Sequence, residues 1–164
     1  MEALIARSGI GLSVGFYTEA QAEAVTREVF GVDSQLVEDG TYFAIEEGGV
    51  IVACGGWSKR STDYGGDQHK SGPDRLLDPT MEAARIRAFF VEPGQERRGL
   101  GGMLLEHCTA AARAAGFTAL ELVSTMPGEP LYKAYGFVPT QQLELELSGG
   151  VLVPLTRMRK EMAG

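Results

Sequence analysis

Residues 83–116 read AARIRAFFVEPGQERRGLGGMLLEHCTAAARAAG. The run over 83–91 predicts a central strand, closed by Glu92-Pro93-Gly94. Residues 99–115 have helical composition and stop at Gly116, a C-cap glycine. Between strand and helix lies the densest glycine cluster of the chain: Gly94, Gly99, Gly101 and Gly102. Without a Cβ, glycine lets a bulky ligand reach the main chain. The first turn of a helix leaves N–H groups without intrahelical partners, and the helix dipole adds partial positive charge there. Such a turn is an anion site suited to phosphate or pyrophosphate, and Arg97 and Arg98 add local positive charge.

Upstream, residues 19–30 (EAQAEAVTREVF) follow Thr18, a good N-cap, and space Ala22, Val25 and Val29 along one helical face. Residues 1–8 are a short helix or a loose end. Residues 41–47 and 50–57 are β-rich, and Gly48-Gly49 between them signals a two-residue hairpin turn. Residues 58–80 form a polar, irregular loop, long for a compact domain. Downstream come a strand over 118–124, a short helix within 128–135 ended by Gly136, and an alternating strand over 141–147. Ser148-Gly149-Gly150 then turns the chain into a last strand near 151–158. The expected fold is one α/β (α+β) domain over 1–164, a mixed, mostly antiparallel sheet around a central strand–helix–strand unit. No strand precedes the first helices, which leaves the edge of strand 41–47 bare or open to a second copy in a homodimer.

The 164 residues carry a net charge of −7 and include 22 glycines, about twice the usual share. This acidity argues against a nucleic-acid coat or a membrane-surface protein. It does not oppose a small anionic ligand, because backbone dipoles and two arginines supply the local field. Cys54 and Cys108 lie in apolar segments without a second Cys or His at metal-site spacing. They read as buried free thiols of a reducing compartment, the cytoplasm, and no metal is expected. No apolar run reaches the ~18 residues of a membrane span.

Three nucleotide motifs compete for the glycine turn. A P-loop needs Lys-Ser or Lys-Thr after its last glycine, and neither follows here. A dinucleotide fingerprint needs a third glycine where Leu104 stands. The third is the acetyl-coenzyme A turn [QR]xxGx[GA], aligned with Glu96-Arg97-Arg98-Gly99-Leu100-Gly101. With the strand Ile86–Val91, the exit Val91-Glu92-Pro93 and the downstream Leu131-Tyr132-Lys133-Ala134-Tyr135-Gly136-Phe137, residues 83–137 resemble the GNAT N-acetyltransferases in order and spacing. Two positions depart from the family pattern. Glu96 stands where Gln or Arg is usual, and Thr125 where Asn often precedes the tyrosine by seven residues.

The resemblance implies an acyltransferase that moves acetyl from acetyl-coenzyme A to a primary amine of a small molecule or peptide, by direct attack through a tetrahedral intermediate. The alternative is a non-catalytic acyl-coenzyme A sensor or partner module of the same fold. The main chain of Phe90 and Val91 would hold the pantetheine arm. The turn Arg97, Arg98, Gly99, Leu100, Gly101 and Gly102 would hold the pyrophosphate, with Thr125 a further cofactor contact. Tyr132 would be the general acid for the departing thiolate, since a phenol with pKa ~10 is protonated at neutral pH. Glu82, at the start of the central strand, is the first candidate for general base, with Asp78, Asp67 and His69 as alternatives. Arg85 and Arg87 alternate along that strand and share a face, where they line an acceptor cleft or pair with loop acids. Trp57, after Gly55-Gly56, stands at the acceptor side or packs beneath the 58–80 loop.

Overall fold

A computed structural model describes residues 1–11, 15–66, 74–95 and 98–162. Three helices come first: α1 (Glu2–Gly11), α2 (Glu19–Glu28) and α3 (Ser34–Glu38). Strands β1 (Tyr42–Glu47), β2 (Val50–Ser58) and β3 (Ala84–Val91) follow, then α4 (Leu100–Ala114) and β4 (Ala119–Ser124). The chain ends with α5 (Glu129–Ala134), β5 (Val138–Leu147) and β6 (Val151–Glu161). The six strands form one sheet in the order β1-β2-β3-β4-β6-β5. Only β3 and β4 run parallel, joined through α4; every other pair is antiparallel. This is the α+β architecture expected from the sequence. Among the described residues no strand precedes β1, so β1 is one edge of the sheet.

Local chemistry explains the element ends. Thr18 and Gln21 exchange side-chain and main-chain hydrogen bonds at 3.1 and 2.9 Å, a capping box that starts α2. Asp33 caps α3, its Oδ1 accepting from Gln35 N–H at 3.0 Å. Gly48 and Gly49 both take positive φ, 57° and 82°, as a two-residue hairpin turn requires. The segment expected to be a short helix or loose end is the ten-residue α1. It buries Leu4 and Ile5 against Cys54 and Phe90.

Side-chain alternation in β3 slips once. Ala84 and Ile86 face α4, and so does Phe89, whereas Phe90 faces α1. Between Arg87 and Phe90 the strand carries one residue more than β2 does between Cys54 and Gly56, and Ala88 sits at φ 55°. This bulge bends β3 just where it leaves β4, which pairs with it only at Ala84 and Arg85. The hydroxyl of Tyr42 donates to the Ala88 carbonyl at 2.9 Å, which holds the bulge. Beyond Arg85 the two strands diverge.

The sheet is covered on both sides. On the α4 face Leu105, Cys108 and Ala112 pack on Ile86, Leu120, Leu122 and Met158. On the other, Val25 and Val29 pack on Val153 and Leu155. The stems of the long loop are ordered: Arg60 bridges Leu76, and Leu77 N–H bonds Lys59 O at 2.7 Å. Asp67 and His69 lie outside the described residues.

Candidate functional site

The divergence of β3 from β4 opens a cavity of about 390 Å³ that passes from one face of the sheet to the other. On the α4 side its wall includes Phe89, Gly99, Gly101, Gly102, Thr125 and Tyr132. On the α2 side Val25, Val29, Phe30, Asp63, Val123 and Leu155 line it.

The glycine turn is built as a helix entrance. Gly99 caps α4 at φ 80° with no atom within 4 Å of where a Cβ would stand. It is glycine for its backbone conformation. The first main-chain bond of the helix is Met103 N–H to Gly99 O at 3.0 Å. The N–H groups of Leu100, Gly101 and Gly102 precede it, without intrahelical acceptors and at the positive end of the dipole. Gly101 and Gly102 are small for a reason the sequence did not show. A Cβ at Gly101 would stand 2.9 Å from Leu131, and one at Gly102 2.0 Å from the Tyr135 hydroxyl. Their missing side chains admit the α5 segment that carries Tyr132, rather than clearing space for a ligand. Glu96 and Arg97 lie outside the described residues. The Arg98 guanidinium is exposed and held by both carboxylate oxygens of Glu47, at 2.9 and 2.7 Å, and by Gln95.

Phe90 and Val91 line the cavity where β3 has left β4. The Val91 N–H donates to Ser8 Oγ of α1 at 3.3 Å. Arg7 grips Glu92 through two bonds of 2.9 and 2.7 Å, so α1 is fastened at the strand exit. Thr125 lines the cavity just past β4, its carbonyl accepting from Ser124 Oγ at 2.7 Å.

Tyr132 is 92% buried yet borders the cavity. Its ring meets Phe137 edge-on, with centroids 5.8 Å apart. Burial, with Cys108 near it, raises the phenol well above its ordinary pKa. The group therefore stays protonated through the neutral and mildly alkaline range.

The charged candidates divide. Glu82 is not in the cavity wall. Its carboxylate holds Arg75 through two bonds, at 3.0 and 2.6 Å, and accepts from Asp78 N–H. The arginine is the main reason its pKa falls to about 2. Asp78 accepts from Thr80 beside it. Arg87 is 98% buried and pairs with equally buried Asp33 at 3.0 Å. It also donates to the carbonyls of Gly65 at 2.6 Å and Thr62 at 3.4 Å. Arg85 Nε lies 2.9 Å from Asp63, whose other oxygen is 3.1 Å from Arg157. Glu121 completes this cluster, 3.6 Å from both Arg85 and Arg157. The two strand arginines therefore hold loop 62–65 against the sheet, and the loop supplies the wall. Trp57 is buried on the α4 side, edge-on to Phe117, away from the cavity.

Sequence reasoning missed Asp63, the one carboxylate among the described residues of the wall. It sits in a polar loop among other acids, and only the fold shows which of them turns inward. The chamber beside it was also missed, because Val25 and Val29 read simply as the buried face of a helix.

Residues 13–137 match the model of the Acetyltransferase (GNAT) family. Solved structures resemble the chain along nearly its whole length. A GCN5-related N-acetyltransferase from Rhodopseudomonas palustris is 19% identical, with 98% of this chain and 87% of that one covered and a TM-score of 0.67. PaiA N-acetyltransferase from Thermoplasma acidophilum, solved in complex with coenzyme A, is 11% identical over 98% and 89%, with a TM-score of 0.62. YncA from Salmonella typhimurium, solved with its cofactor acetyl-CoA, is 16% identical over 99% and 91%, with a TM-score of 0.59. At these identities the likeness is one of fold. No curated protein sequence matches the chain.

Proposed function

This chain belongs to the acetyltransferase (GNAT) family, and we propose that it is an N-acetyltransferase acting on a primary amine. The observation that carries this reading is the continuity of the cavity. It joins a helix N-terminus free to bind phosphate, a diverging strand edge and a buried tyrosine to a chamber across the sheet. A binding module needs the first two features; the last two serve a reaction.

The N–H groups of Leu100, Gly101 and Gly102 hold the pyrophosphate of acetyl-coenzyme A, and Arg98 stands beside them with Glu47 as its counter-charge. The diverged edge at Phe90 and Val91 would receive the pantetheine arm, with the Val91 N–H, which here donates to Ser8 Oγ, as the main-chain donor available to it. Thr125 borders the same path. When bound, acetyl-coenzyme A supplies a thioester carbonyl activated toward nucleophiles.

Asp63 faces the incoming ammonium and, giving up its contact with Arg157 for it, takes its proton, directly or through a water, leaving a neutral amine. The amine nitrogen bonds to the carbonyl carbon to give a tetrahedral intermediate; as it collapses the carbon–sulfur bond breaks, and the second N–H proton passes to solvent, leaving the amide. Tyr132 donates a hydrogen bond to the departing sulfur. A thiol has pKa ~8.5, so a phenol raised above 10 is the weaker acid. Tyr132 therefore stabilises the thiolate by hydrogen bonding, and solvent completes the protonation. Arg85 and Arg87 act through the loop: they fix Asp63 and its neighbours and are positioning residues. Glu82 keeps Arg75 and takes no part in proton transfer.

The test is calorimetric titration with acetyl-coenzyme A, followed by thiol release over a panel of amines. Binding with thiol release on at least one amine is expected. Binding with no release on any amine would assign the fold to sensing, and no binding at millimolar ligand would remove both readings.

A further inference from the structure

We propose that the acceptor is a monoamine with an apolar body, not a polyamine and not an α-amino acid; this deepens, and rests on, the N-acetyltransferase reading. The acceptor half of the cavity is walled by Val25 and Val29, one turn apart on the α2 segment, by Phe30 after it, and by Val123 and Leu155 on the sheet. The same face of the sheet is charged only a few residues further along. There Arg85, Glu121 and Arg157 gather beneath Asp63. Asp63 thus marks the border between a charged patch and an apolar chamber.

Two absences, both among the described residues, set the class. The wall has no Lys, Arg or His side chain, so a substrate carboxylate entering the chamber would lose its water without gaining a cation. The neighbouring arginines do not serve, because Asp63 and Glu121 already hold them. The wall also has a single carboxylate, Asp63, and with its two oxygens already facing Arg85 and Arg157 it takes at most one ammonium, so a second finds no partner. What remains is a single amine whose other end is hydrocarbon. Each methylene that enters such a chamber contributes about 0.8 kcal/mol, or roughly a fourfold gain in affinity.

The experiment uses the full chain and straight-chain primary amines from ethylamine to hexylamine, with phenylethylamine, spermidine, glycine and glutamate. Thiol release from acetyl-coenzyme A gives kcat/KM for each. Calorimetry of the same amines on the coenzyme A-loaded protein gives affinity without chemistry. The expected result is a rise of about twofold to fourfold per methylene in both readouts, with spermidine and the amino acids at least tenfold below hexylamine. Phe30→Ala should flatten that slope while coenzyme A affinity holds, which also shows that the variant is folded. A flat or falling series with turnover, or spermidine or an amino acid as the best acceptor, would overturn the substrate class and leave the acetyltransferase reading standing. A rising affinity series with no turnover would support the chamber and remove the transferase. Neither affinity nor turnover from any amine would overturn both.

Discussion

At the residue scale, one backbone position decides where the cavity opens. Ala88 adopts φ 55°, a conformation that costs an L-residue with a Cβ roughly 1–2 kcal/mol. The Tyr42 hydroxyl on its carbonyl compensates. Removing that bond by Tyr42→Phe should lower stability by about 1 kcal/mol. Adding Ala88→Gly in the same background should recover most of the loss, since glycine takes the conformation without strain. Thermal denaturation of the two variants checks this; Tyr42→Phe as stable as the wild type would show that the bond does not hold the bulge, and a double variant no better than Tyr42→Phe would show that Ala88 is not strained. The glycines teach a related lesson. Gly99 was legible as a turn residue from its place between strand and helix. Gly101 and Gly102 were legible as necessary but not for their reason, because Leu131 and Tyr135 stand about thirty residues away in sequence and touch them only in the fold.

At the scale of elements, the central strand–helix–strand unit was readable because each boundary has a local cause: Pro93-Gly94 after β3, Gly99 before α4, Gly116 after it. The two arginines on β3 were readable as a pair on one face, but not their partners. Asp33 lies 54 positions from Arg87 and caps a five-residue helix too short to show a period. That contact joins α3, β3 and the loop that carries Asp63. Breaking a fully buried pair strands the remaining charge, at a cost of about 3–5 kcal/mol. Asp33→Ala should therefore cost that much in urea unfolding and should also loosen the loop, raising KM for the amine more than KM for acetyl-coenzyme A. Equal effects on both KM values would mean that the pair supports the fold without shaping the acceptor side. Among the described residues β1 is one edge of the sheet, and the elements before it are helices, with α1 packed on the face of β3.

At the scale of the whole molecule, the net charge of −7 says little about the cavity, whose wall is mostly uncharged. The ionisable groups inside the protein say more about its pH range. Burial raises Tyr17 and Cys108 to about 12, and raises Tyr42, Tyr132 and Cys54 as well. In the unfolded chain the thiols ionise near pH ~8.5 and the phenols near ~10. Above those values the unfolded state binds fewer protons than the native state, so stability falls as pH rises. Below about pH 8 this contribution is fully present. Melting temperature should stay level from about pH 6 to 8 and drop steeply above about 9. A level profile to pH 11 would mean that these groups are not desolvated as described. The central claim, that the cavity transfers an acetyl group with Tyr132 at the leaving sulfur, is tested most directly by kcat for thiol release in Tyr132→Phe, measured at saturating acetyl-coenzyme A with the acceptor the wild type uses best. The account predicts a fall of ~10²-fold with coenzyme A affinity unchanged, and an unchanged kcat would contradict it.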